Sequence, residues 1–153
     1  SRVDRLHQHS KEEQQIMEYS IKSADFDICF LLKVFETDIA YTSNTILTIS
    51  VNSDGYCANA DMDIDIKEFV AFADSLSSLY KTLNGTALIQ EPYGERQFVE
   101  FSADRSGHIR IRGELSSNGR NGFVQKLNFE NCIDQTYLPD FIKNLSLLCA
   151  EYR

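Results

Sequence analysis

In TILTISV (45–51), Leu47, Ile49 and Val51 alternate with Thr48 and Ser50, and in HIRIRGEL (108–115), Ile109, Ile111 and Leu115 alternate with His108, Arg110, Arg112 and Glu114. Successive side chains of a strand point to opposite faces, so this period of two specifies strands with one buried and one wet face. Met17, Tyr19 and Ile21 repeat the pattern against Glu18, Ser20 and Lys22. DICFLLKVF (27–35) is a run of strand formers, and TALIQ (86–90), QFVEFSA (97–103) and VQKLNFEN (124–131) follow at short intervals. Asn52-Ser53-Asp54-Gly55 reads as a turn before a strand over 56–64, because Asn, Asp and Gly tolerate positive φ. A short helix over EEQQIMEY competes with the first strand.

Two segments change period. Ile66, Phe69, Val70, Ala73, Leu76, Leu79, Tyr80 and Leu83 follow the spacing of an amphipathic helix, which Asn84-Gly85 ends as a left-handed cap. Leu138, Phe141, Ile142, Leu145, Leu148 and Cys149 mark a second helix over about 137–151, with Thr136 as its expected N-cap and Pro139 in its first turn. The fold class is therefore α+β, an antiparallel sheet meander with two amphipathic helices (about 66–83 and 137–151) packed on one face. The 153 residues, 42% hydrophobic, suffice for one core. Residues 1–13 are polar and are expected to be a leader, expression-derived or loosely held, before a single domain over 14–153.

The stretch ADMDIDIKEF (60–69) places Asp61, Asp63 and Asp65 at alternate positions, as a calcium loop begins. An EF-hand loop needs Gly at its sixth position and Glu at its twelfth, and counting from Asp61 these are Ile66 and Phe72. Carboxylates at alternate strand positions lie about 6.5 Å apart along one face, too spread for a single ion. Asp65 and Glu68 instead have the spacing of a capping box, leaving Asp61 and Asp63 on an outward strand face. No metal site is expected.

Catalytic patterns are absent. Neither GxSxG nor a phosphate-cradling glycine loop occurs, and His108 reads as an exposed strand residue. Arg110 and Arg112, with Arg105 and Arg120 near in sequence, form the one basic cluster, for which cross-strand pairing with Glu100 and Glu114 is the plainer account. The four cysteines include no CxxC, so reduced structural thiols are expected. No apolar run approaches the roughly 20 residues that span a bilayer. The chain reads as a non-enzyme without cofactor.

Charge is the more informative signal. Residues 25–74 carry ten acids and two lysines, net −8, equal to the net charge of the whole chain. Such local acidity steers a basic protein partner and opposes direct nucleic-acid binding. The candidate interface comprises Asp25, Asp27, Glu36, Asp38, Asp54, Asp61 and Asp63, with Tyr41 and Tyr56 as aromatic anchors.

EFVAFADSLSSLYKTLNGTALIQ (68–90), SGHIRIRGEL (106–115) and LNFENCIDQTYLPDFIKNLSLL (127–148) resemble the WapI-family immunity proteins, over about residues 45–148. The likeness rests on the order of helix and strands, the G-H-I-x-[IV] strand, and the D-Q-T-x-L pattern at Asp134, Gln135 and Thr136. These are small cytoplasmic bacterial proteins that protect a cell from the C-terminal toxin domain of a polymorphic, contact-dependent toxin. The resemblance implies a non-enzymatic inhibitor whose partner is a cognate toxin domain, often a nuclease; a monomer or weak dimer is expected. It transfers no binding residue. A ligand-binding or scaffold domain is the alternative.

Overall fold

A computed structural model describes residues 14–93, 97–118 and 121–153. The leader expected over 1–13, and Arg120, lie outside the described residues. The order is β1 (Gln14–Lys22), β2 (Phe26–Phe35), β3 (Thr45–Ser53), β4 (Tyr56–Ile64), α1 (Ile66–Thr82), β5 (Thr86–Gln90), β6 (Phe98–Ala103), β7 (His108–Asn118), β8 (Val124–Asp134) and α2 (Leu138–Tyr152). The α+β class and both helices agree with the periodicity. The strands, however, form two four-stranded antiparallel sheets, β1-β2-β3-β4 and β5-β6-β7-β8, each a simple meander. The 17 residues of α1 carry the chain about 25 Å between them. Gln14–Lys22 is strand, not helix, paired along its whole length with β2.

One core joins the layers. Phe26, Ile28, Phe30, Leu32 and Val34 on β2 are all 1% exposed or less. The Phe30 ring lies 5.8 Å from Phe69 and 5.7 Å from Phe72 of α1, and 6.0 Å from Phe141 of α2. Phe72 continues the contact to Phe101 of β6 at 5.7 Å. A single aromatic chain thus runs from the first sheet through both helices to the second, each pair adding about 0.5–1.5 kcal/mol beyond burial. Polar ties reinforce the junction. The Gln97 side chain, 3% exposed, donates to the Asp61 carbonyl at 2.8 Å and accepts from the Ser116 N–H at 3.1 Å. Asn131 of β8 donates to Ser53 Oγ at 3.0 Å.

The helix ends differ from expectation in detail. Asp65 caps α1, accepting from the Lys67 N–H at 3.0 Å, but Glu68 does not complete the box. Its half-buried carboxyl is pushed above its ordinary value by burial and then by the Asp65 charge. Buried Asn44 supplies the second side chain instead, taking the Ile66 N–H on Oδ1 at 2.8 Å. At the far end the left-handed residues are Leu83 (φ 50°) and Gly85 (φ 88°), not Asn84. Thr136 is not the N-cap of α2. It lies in a 3-10 turn, Gln135–Tyr137, and gives both its N–H and hydroxyl to Asp134 Oδ2 at 3.1 and 2.7 Å. A carboxylate one turn earlier outcompetes the hydroxyl as acceptor because it carries full charge.

Candidate functional site: the outer face and turn end of the first sheet

The register of the first sheet lines up four outward rows. They are Lys22–Asp27–Asn52–Cys57, Ser20–Cys29–Ser50–Asn59, Glu18–Leu31–Thr48–Asp61 and Ile16–Lys33–Ile46–Asp63. The helices cover the opposite face. Asp61 and Asp63 are exposed on β4, while Met62 and Ile64 between them are buried at 2% and 0%. Thr48 donates its hydroxyl to Asp61 Oδ1 at 2.6 Å, which orients that carboxylate on the face.

A second acidic group sits where β2 begins and β3 turns into β4. Asp54 (φ 52°) and Gly55 (φ 88°) both adopt positive φ between the paired residues Ser53 and Tyr56. This is the two-residue turn that suits the twist of a hairpin. The Asp54 N–H bonds to the Asp25 carbonyl at 2.9 Å. Asp25, Asp27, Asn52 and Asp54 line an open depression of about 390 Å³. Tyr56, 70% exposed, lines a neighbouring depression with Ser53, Asp54 and Leu127–Glu130 of β8.

The nine candidate residues therefore do not form one patch. Asp25, Asp27, Asp54, Tyr56, Asp61 and Asp63 share the outer face and the turn end. Glu36, Asp38 and Tyr41 lie at the other end of strands about 30 Å long. Tyr41 is 62% exposed there, whereas Asp38 is buried at 4%. Glu36 holds the end of α2, accepting the Tyr152 hydroxyl at 2.6 Å. Burial and this carboxylate push the Tyr152 phenol far above its ordinary value.

Charge follows the same division. Residues 14–65, the first sheet and its connections, hold nine acids and two lysines, net −7. Residues 66–153 hold eleven acids and ten bases, net −1. In the second sheet the arginines are matched: Arg112 Nε reaches Glu100 at 2.9 Å and Arg110 Nε reaches Glu130 at 2.5 Å. Arg112 also stacks over Phe98, 5.3 Å from its centroid. Glu114 pairs with Lys126 at 3.9 Å rather than with an arginine.

Ser106, Asp104 and His108 come together in the β6–β7 turn. Asp104 Oδ1 accepts the Ser106 N–H, the Ser106 hydroxyl and the His108 N–H at 2.9, 2.8 and 3.0 Å. Ser106 Oγ lies 2.9 Å from His108 Nδ1. Here the carboxylate holds the serine hydroxyl itself, whereas a nucleophilic triad needs it to orient the histidine. The arrangement is a turn lock. Among the described residues no cluster of His, Cys, Asp and Glu suits a metal ion. Cys29, Cys57, Cys132 and Cys149 are all unbridged.

Sequence reasoning missed the groove between the sheets, where Cys57–Ala60 of β4 face Leu115–Ser117 and Gln125–Leu127 across about 370 Å³. Its walls are more than 50 residues apart in the chain, so no local pattern announces it.

A family model for the immunity protein WapI-like family matches residues 15–153, nearly the whole described chain. The chain belongs to the WapI-like immunity protein family. No curated protein and no solved structure matches it. Family membership implies a toxin-neutralising role and a cognate toxin protein as partner, in a family that is generally non-catalytic. The acidic first sheet is thus a surface of a WapI-like chain. No described helix is long and apolar enough to cross a membrane.

Proposed function

We propose that this protein binds and neutralises the toxin domain of a contact-dependent bacterial toxin, in the cytoplasm, through the acidic surface of its first sheet. The observation that carries the reading is the concentration of net −7 on residues 14–65 of a WapI-like chain. Asp25, Asp27, Asp54, Asp61 and Asp63 supply the charge, and Tyr56 supplies an exposed aromatic anchor at one end. A nuclease toxin fits this surface best. Its substrate groove must be basic to hold phosphates, so an acidic protein is steered to it and occupies the same ground.

The test is to establish whether a neighbouring gene encodes a large secreted protein with a C-terminal toxin domain, and to co-express that domain with this protein. Survival of the cells supports the reading, and death at the rate seen without this protein sinks it. The surface has its own test: Asp61→Lys with Asp63→Lys slows association by about tenfold or more at low salt, and the difference shrinks as salt is raised. An association rate unchanged at low salt would put the interface elsewhere.

A further inference from the structure

The hydrogen-bond parity of the first sheet leaves one strand edge open. Phe35 donates its N–H to the Asn44 carbonyl at 2.9 Å, in register with the β2–β3 ladder. Bonded and non-bonded pairs alternate along an antiparallel ladder. On β3, Ile46, Thr48, Ser50 and Asn52 therefore bond toward β2, and Thr45, Leu47, Ile49, Val51 and Ser53 bond toward β4. Their partners on β4 are Ile64, Met62, Ala60, Ala58 and Tyr56. Cys57, Asn59, Asp61 and Asp63 must then turn their backbone N–H and C=O away from β3. The Asp61 carbonyl shows that direction directly, because the Gln97 side chain reaches it from the second sheet at 2.8 Å. Among the described residues no strand pairs with β4 on that side.

Gln97 caps the edge at Asp61, but among the described residues the second sheet does not cap it at Cys57 and Asn59. Beyond Cys57 and Asn59, both exposed, lies the groove of about 370 Å³ bounded by Ser117 and Gln125–Leu127. A strand edge with unsatisfied backbone groups is a template for a further strand.

We infer that an extended segment of the toxin domain adds to the first sheet along β4 at Cys57–Asn59, and that this segment alternates basic and apolar side chains. The inference rests on the immunity reading above and names its mode of contact. The alternation follows from the pleat. Every second side chain of an added strand lies on the outer face beside Cys57 and Asn59, with Asp61 the next residue along that face, where the long side chain of a lysine or arginine reaches the carboxylate diagonally. The others point inward, toward half-buried Ala58 and Leu127, where an aliphatic side chain fits. A second copy of this chain is the poorer occupant, since its own β4 would set Asp61 and Asp63 against acids of the same edge.

The test compares the toxin-domain affinity of the intact protein with those of Asn59→Ala and Asn59→Pro. The Asn59 N–H makes no ladder bond to β3, so proline at this edge position removes only the outward donor. Asn59→Ala keeps that donor and changes affinity by less than about threefold. Asn59→Pro weakens the complex by about tenfold or more. Amide hydrogen exchange on the unaltered protein is the independent measurement, with Cys57 and Asn59 becoming protected only in the complex. Equal affinity of the proline variant, or no new protection at these two amides while the complex forms, overturns the inference and leaves the immunity reading standing. Failure of the unaltered protein to bind the toxin domain overturns both. A concentration-dependent dimer of the protein alone, lost in Asn59→Pro, would assign the edge to a second copy and also overturn it.

Discussion

Asn44 holds Asp65 at the start of α1: its Nδ2 donates to Asp65 Oδ1 at 3.2 Å while its Oδ1 accepts the Ile66 N–H at 2.8 Å. The same amide donates to the Tyr41 carbonyl at 2.9 Å, and Thr45 gives its hydroxyl to Asn44 Oδ1 at 2.8 Å. One side chain without solvent exposure thereby ties the β2–β3 connection to the first turn of a helix 21 residues later. The hydrogen bonds of a buried amide with its donors and acceptor engaged offset its desolvation, but removing it strands several partners at once.

Asn44→Ala is therefore expected to destabilise the fold by about 2–4 kcal/mol. Urea denaturation measures this. A loss below about 0.5 kcal/mol, the scale of a neutral surface change, would mean the strand-to-helix junction is held elsewhere.

Gly113 is required by close approach. A Cβ there would meet the Phe98 carbonyl oxygen at 2.5 Å and the Phe129 ring at 2.7 Å. Phe129 packs against Phe26 of the first sheet, 6.1 Å between centroids, so the ring cannot retreat without opening the contact between sheets. Gly113→Ala should cost about 2–3 kcal/mol, read as a lowered midpoint in thermal unfolding. An unchanged midpoint would show that β7 yields freely.

The cysteines should separate by reactivity toward an aromatic disulfide reagent at pH 8. Cys57 is exposed and should react first. The Cys29 thiol is pushed up to about 11 by burial and by its hydrogen bond to Glu18, leaving about a thousandth as thiolate at that pH. Cys149 is buried and its thiol is raised by the same desolvation. Glu18→Gln should speed Cys29. Simultaneous labelling of all four thiols would contradict this order.

The Asp104 carboxyl is held below its ordinary 3.8, first by the Ser106 hydroxyl and then by the His108 N–H. A lowered folded value means that the turn lock contributes its stability above about pH 3.8 and loses it as pH falls through the lower folded value. Carboxyl NMR titration should find Asp104 titrating below 3.8 and moving up toward it in Ser106→Ala. A midpoint indifferent to that substitution would remove the hydroxyl from the account.

Much of the fold was legible because its signals are local. Every strand expected from alternation exists, and both helices end within a few residues of the periodic positions. Asp61 and Asp63 face outward as the pleat requires. The local reading failed where two candidates compete over a longer range. Asn44 displaced Glu68 at the cap of α1, and Asp134 took the place of Thr136 ahead of α2. Of the acidic candidates, Asp38 was lost to burial and Glu36 to a hydroxyl from the chain terminus, neither of which leaves a trace in neighbouring residues.

By itself the sequence determined the α+β class, the faces of strands and helices, the acidity of the first third, and the family resemblance. All of these follow from short-period patterns or from composition. Tertiary structure alone decided that the strands divide into two sheets, that the acids separate into an outer face and two ends, and that one edge of β4 stays open beside a groove. Those outcomes depend on which distant segments pack together through Phe30, Phe72 and Phe101, and packing between distant segments has no period to read.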